Sequence, residues 1–121
     1  MTAATTNLLN KTLMMPNSTF EGNMNIIKVF NIVGANAISI QSGTNLYDKI
    51  HADIFSGQEV CLDFSEVELF ASPFFNASIG RLLKDVELTD LLKRLKINNI
   101  SQVGRQLLNH VVANALTFYG K

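Results

Sequence analysis

The sequence predicts an α/β domain, a mixed sheet of about four strands packed against about three to four helices. Three observations predict it. Short β-branched or aromatic runs alternate with stretches of helical period, as crossover helices between strands require. The run "EVCLDF" is nearly continuous in apolar residues, which suits a strand covered on both faces. The stretch "SQVGRQLLNHVVANALTFY" carries a strong amphipathic helical pattern.

The elements follow in order. Residues 1 to 23 are rich in Thr, Asn and Ser and show no period. They form an arm before the domain at 24–121, either flexible or docked through Leu13, Met14 and Met15. "NIIKVFNIV" reads as a strand, Gly34 breaks it, and "NAISI" reads as a second strand paired as an antiparallel hairpin. In "SGTNLYDKIHADIF", Leu46, Ile50 and Ile54 share one helical stripe with Tyr47 at its border, and Gly57 stops the helix. "EVCLDF" is the central strand, and "VELF" prolongs it or forms the link.

A helix opens at "ASPFF" and buries Phe75, Ile79, Leu82, Leu83 and Val86. Gly80 in its interior costs about 1 kcal/mol against Ala, and close approach to the sheet is the expected reason. "LTDLL" is a short helical turn. "KRLKIN" is an edge strand with Leu95 and Ile97 inward and the charges of Arg94 and Lys96 outward. In the last helix, Ser101 is the N-cap. Val103, Leu107, Val111 and Leu116 lie near one buried face, widened by Leu108, Val112 and Ala115.

Composition excludes several function classes. With 121 residues, 47% apolar and 17% charged, the chain can fill one core without staples. Ten basic residues balance ten acidic ones, so the basic footprint of a nucleic-acid binder is absent. The start, "MTAATTNLLNKTLMMPNSTF", has no basic region followed by a long apolar run, and no segment has the length to span a membrane. A cytoplasmic protein is the expectation. Asn-x-Ser/Thr triplets at Asn10, Asn17, Asn76 and Asn99 then read as chance in a chain rich in these residues.

The chemistry-bearing residues are few. Cys61, the one cysteine, lies in an apolar run and reads as a small core residue. His51 and His110 lack ligand spacing, so no metal is expected, and no phosphate-cradling glycine motif points to a cofactor. Lys93, Arg94 and Lys96 read as a solvated edge. Phe74 and Phe75 offer a sticky surface, with at least one of them in the core. Asp63 ends the central strand, where a carboxylate either faces a binding crevice or accepts hydrogen bonds from the next loop. Ser72 before Pro73 is the expected N-cap of its helix. The same position suits a phosphate, which would sit at the positive end of the helix and add about −1.5 to −2 charges.

The stretch "VCLDFSEVELFASPFFNASIGRLL" resembles the STAS-like domains of unknown function of bacteria, which in turn resemble anti-sigma factor antagonists. Asp63 matches the Asp that ends the antagonists' apolar strand, and Ser72 matches the serine that a partner kinase phosphorylates. Ala71 stands where the antagonists carry Asp, and Pro73 and Phe74 replace small residues. The pattern from Ser72 to Asn76, with "LKINNIS" and "VVANALTFY", is closer to the STAS-like group, and the resemblance covers about residues 25 to 119.

The resemblance implies a non-enzymatic regulatory module that binds a protein, with a histidine-kinase-like ATPase as the natural partner. Ser72 would be the switch, Asp63 would order the loop, and Asp63, Phe74 and Asn76 would form the partner-binding set. Two other readings stay open. One is a small-molecule or nucleotide-binding domain using the crevice near Asp63 and Ser72. The other is an assembly module in which the last helix or the arm makes a homo-oligomer.

Overall fold

A computed structural model describes residues 24–121. The expected arm at residues 1–23, with its docking residues and the triplets at Asn10 and Asn17, lies outside the described residues. Strand β1 (Asn25–Lys28) is followed by a helical turn, α1 (Phe30–Val33), and by β2 (Asn36–Ala37). Helix α2 (Ile40–Ser56) leads to β3 (Val60–Asp63) and β4 (Leu69–Phe70). Then come α3 (Ser72–Ala77), α4 (Ile79–Leu82), α5 (Leu88–Arg94), β5 (Leu95–Asn98) and α6 (Gln102–Phe118).

The strands form two small parallel sheets, one of three strands in the order β1-β3-β5 and one pairing β2 with β4. The main sheet is thus one strand smaller than expected, and the pairings among the described residues are parallel rather than mixed. The expected antiparallel hairpin does not form. Val29 donates its N–H to the Asp63 carbonyl at 2.9 Å and ends the ladder, then adopts helical angles of φ −60° and ψ −35°. Its carbonyl accepts the N–H groups of Ile32 and Val33. The modest helix penalty of β-branched residues is outweighed by packing Phe30, Ile32 and Val33 against the core. Gly34, at φ 75° and ψ −159°, takes a positive-φ conformation open essentially to glycine alone and redirects the chain into β2.

The central strand is where the sequence places it. β3 lies between β1 and β5, with Ile27, Leu62 and Ile97 in register on the core face. The other face carries Ile26, Cys61 and Lys96 in one row and Lys28, Asp63 and Asn98 in the next. "KRLKIN" divides between the end of α5 and the edge strand β5, with Leu95 buried and Lys96 exposed. "VELF" neither prolongs β3 nor stays a loop, because Leu69–Phe70 pairs with Asn36–Ala37.

Both long helices are capped at the start. The Ser39 hydroxyl accepts from the Ser42 N–H at 3.0 Å, and the Ser101 hydroxyl accepts from the Gly104 N–H at 3.1 Å. Gly57, at φ 92°, closes α2. Leu46, Tyr47, Ile50 and Ile54 are its buried stripe, as expected. In α6 the stripe is rotated from the expected one. Gly104, Leu108, Val111 and Ala115 are buried, while Val103 is 70% exposed.

The helix expected from "ASPFF" onward breaks at Ser78, whose φ −113° and ψ −93° lie outside helical values. The buried Ser78 hydroxyl donates to the Phe74 carbonyl at 2.8 Å, a bond that competes with the helical ladder. The expected stripe of Phe75, Ile79, Leu82, Leu83 and Val86 is nevertheless buried on both sides of the break. Gly80 does mark a close approach, but to α6 rather than to the sheet. A Cβ there would lie 3.3 Å from Val111.

Candidate functional site

The residues singled out in the sequence fall into two neighbourhoods. The first is the C-terminal edge of the main sheet, where Lys28, Asp63 and Asn98 end three adjacent parallel strands. Asp63 Oδ1 accepts the Ser65 hydroxyl at 2.6 Å, the Ser65 N–H at 2.9 Å and the Asn99 amide at 2.9 Å. Asn99 holds a left-handed φ of 58°, which asparagine tolerates better than most residues.

These bonds favour the ionised carboxylate. The Ser65 hydroxyl contributes most, then the Asn99 amide and the Ser65 N–H, and the Lys28 charge adds to them, bringing the Asp63 pKa down to about 2. Asp63 is therefore a fixed anion that ties the loop after β3 to the turn after β5. That is the loop-ordering role the sequence suggested. Ser65 and Asn99 escape sequence reasoning, although a paired Asn-Asn between a strand and a capped helix is a readable turn signal.

Cys61 lies beneath this edge, buried, with the Asn98 amide 3.2 Å from its sulfur. Burial, and then the Asp63 charge, push its thiol up, so the reactive thiolate is disfavoured. His51 stacks on Tyr47 with ring centroids 4.9 Å apart, and its Nδ1 lies 3.1 Å from the Tyr47 carbonyl. Among the described residues, no group of three His, Cys, Asp or Glu side chains could hold a metal ion, and no helix is long and apolar enough to cross a membrane.

The second neighbourhood is the start of α3. The N-cap is Ala71, extended at φ −143° and ψ 153°, and not Ser72. Ser72 and Pro73 instead occupy the first turn, with no side-chain capping bond. The chain reaches this point from β4 in extended form, and the Ala71 N–H donates to the Ala37 carbonyl at 3.0 Å. That strand bond holds residue 71 outside the helix and moves Ser72 one place inward. Ser72 and Asn76 remain accessible, the first half-buried and the second exposed.

Phe74 does not. It is fully buried, in edge-to-face contact with Phe75 at 5.2 Å, and so serves the core rather than a partner surface. The pair belongs to a wider aromatic cluster, because Phe75 also stacks on Phe70 at 5.7 Å and lies 6.3 Å from Phe64.

The small sheet carries an apolar surface beside Ser72. Ala37 is buried and Phe70 half-buried, so their alternating neighbours face outward. Leu69 is opposite Asn36, and Ile38 follows one step beyond the pair. Ile38 is 41% exposed, Ile40 66% and Leu69 55%.

Two clefts on the described surface are lined by described residues alone. One, of about 380 Å3, lies between α3–α4 and the end of α6. The other, of about 420 Å3, runs beside β1. Asp63 and Ser72 line neither of them, so the crevice expected between those two residues coincides with neither cleft.

No curated protein and no solved structure matches the chain. One family model does, that of a STAS-like domain of unknown function (DUF4325), over residues 42–105. The match runs from the first turn of α2 to the first turns of α6, and takes in β3, Asp63 and the whole of α3. It covers just over half of the 121 residues, and the chain belongs to the family of STAS-like domains of unknown function.

Proposed function

We propose that the chain is a non-enzymatic regulatory module that binds a protein partner through the small β2–β4 sheet and the start of α3. The observation that carries this reading is the exposure of Ile38, Ile40 and Leu69, on or next to the β2–β4 pair, whose second strand leads directly to the accessible Ser72. Exposed apolar side chains bordered by polar groups are a common form of interaction surface. Asn76 supplies a polar contact on the next turn of the same helix. Asp63 acts at a distance, by ordering the loop that leads into β4.

A histidine-kinase-like ATPase is the partner class, on the strength of the resemblance to antagonists. Ser72 is the switch residue. Neither α2 nor α3 carries an acidic residue in its first turn, so a phosphate on Ser72 meets no like charge from those turns. It would place about −1.5 to −2 charges beside Leu69 and Ile38, which desolvates badly in an apolar interface. Phosphorylation then releases the partner.

The test begins with the partner recovered on the native chain from its own cells, and with the mass of the peptide containing Ser72. Calorimetry then compares partner affinity for the native chain and the variants Ser72→Ala, Ser72→Asp and Leu69→Lys. The reading expects Ser72→Ala to bind at least as well as the native chain. Ser72→Asp should bind about tenfold more weakly, and Leu69→Lys should lose most of the affinity. Equal affinity across all four would place the interface elsewhere.

A further inference from the structure

The cleft between α3–α4 and α6 has a chemistry of its own. Its walls carry two carboxamides, Asn76 and Asn114, and two aromatic rings, Phe118 and Tyr119, over a floor of Gly80 and Ala115. Phe118 is 82% exposed, and its ring stands at 75° to that of Tyr119, with centroids 5.2 Å apart. The Asn114 and Asn76 side chains are exposed and make no hydrogen bond to another described residue. Glycine at residue 80 lets α4 close on α6 beneath the cleft. Its Cβ would stand 3.2 Å from the Phe75 carbonyl and 3.3 Å from Val111. Among the described residues, no side chain that is charged at neutral pH lines the cleft.

We infer that this cleft binds an uncharged planar heteroaromatic compound with a hydrogen-bond donor and acceptor on one edge, of the nucleobase or aromatic-carboxamide class. A carboxamide pairs a donor and an acceptor in one plane, which matches such an edge bidentately. An exposed ring offers a stacking face that any flat heteroaromatic can use. A volume of about 380 Å3 is at the small end of ligand sites and suits a single base. The described lining holds no cation to meet a phosphate, so a free base or nucleoside is preferred to a nucleotide. The inference is independent of the partner surface at Leu69 and Ile38, although Asn76 borders both.

The test is titration of the 15N-labelled full chain with adenine, nicotinamide, adenosine and adenosine monophosphate, followed by amide NMR. The expected result is saturable shifts of the Asn76 and Asn114 side-chain NH2 signals and of the Phe118 and Tyr119 backbone signals. Adenosine should bind at least as tightly as the monophosphate. Asn114→Ala and Phe118→Ala should each weaken binding about fivefold or more. Asn109→Ala, at an exposed site on α6 outside the lining residues, should change nothing. No saturable shift at the cleft with any of the four probes overturns the inference. So does tighter binding of the monophosphate, or binding unaffected by both variants. The partner measurements on Leu69→Lys stand or fall separately.

Discussion

Ser39, Ser72 and Ser101 all stand at helix starts, and hydrogen bonding separates them. The first and last hydroxyls each accept an N–H in the first turn, while Ser72 sits one residue inside its helix and caps nothing. Ser39→Ala and Ser101→Ala should each cost about 1 kcal/mol in urea unfolding. Ser72→Ala should stay within about 0.5 kcal/mol. A loss at Ser72 as large as at Ser101 would return the cap to Ser72. A hydroxyl free of capping duty could take the phosphate proposed above without unravelling the helix. Asp63 is the opposite case, a side chain committed to structure. Its folded pKa is lowered to about 2, against about 4 in an unfolded chain. Its contribution is therefore complete above about pH 4 and disappears as the pH falls toward 2. The stability difference between the native chain and Asp63→Asn should shrink over that interval, with the Ser65 and Asn99 amide signals moving together. A difference independent of pH would mean that the carboxylate charge does not hold the loop.

At the scale of elements, glycine explains what the apolar pattern misses. A search for apolar periodicity in α6 centres the buried face near Val103 and Leu107. The packed face instead runs through Gly104, because a Cβ there would stand 2.9 Å from the Phe70 ring and 2.9 Å from Ile100. Gly104 lets the helix start close on β4, and the stripe rotates accordingly. Gly43 does the same where α2 crosses α3. Its Cβ would lie 2.8 Å from that of Ala77, with the Phe74 carbonyl nearer still. Backbone cannot yield as a flexible side chain can, so Gly43→Ala should destabilise by about 1–3 kcal/mol despite its better helix propensity. The measurement is the midpoint in urea, and a neutral or stabilising effect would mean that α2 and α3 are less closely packed than this geometry requires. Helical stripes with large side chains, such as Leu46-Ile50-Ile54, were legible from spacing alone. Those built on glycine were not, because a residue without a side chain leaves no mark in the apolar period.

The whole molecule joins two small sheets through one aromatic and aliphatic core. The proposed partner surface and the neutral cleft share Asn76 and otherwise draw on different elements. The β2–β4 pair faces outward at one end of α3, while the cleft lies between α3–α4 and the end of α6. A protein partner and a small ligand would then meet the same short helix from different sides. The sequence by itself determined the alternation of strands and helices, the central place of "VCLD", the N-cap of the long final helix and the family of the chain. It did so because burial period, capping chemistry and motif order are local properties. Only the tertiary structure decided strand direction, the placing of "VELF" in a second sheet, the burial of Phe74 and the shift of the cap from Ser72 to Ala71. Each of these depends on which distant backbone supplies the partner for a given N–H or carbonyl. At Ala71 that partner is the Ala37 carbonyl, 34 residues away, and no local pattern can name it.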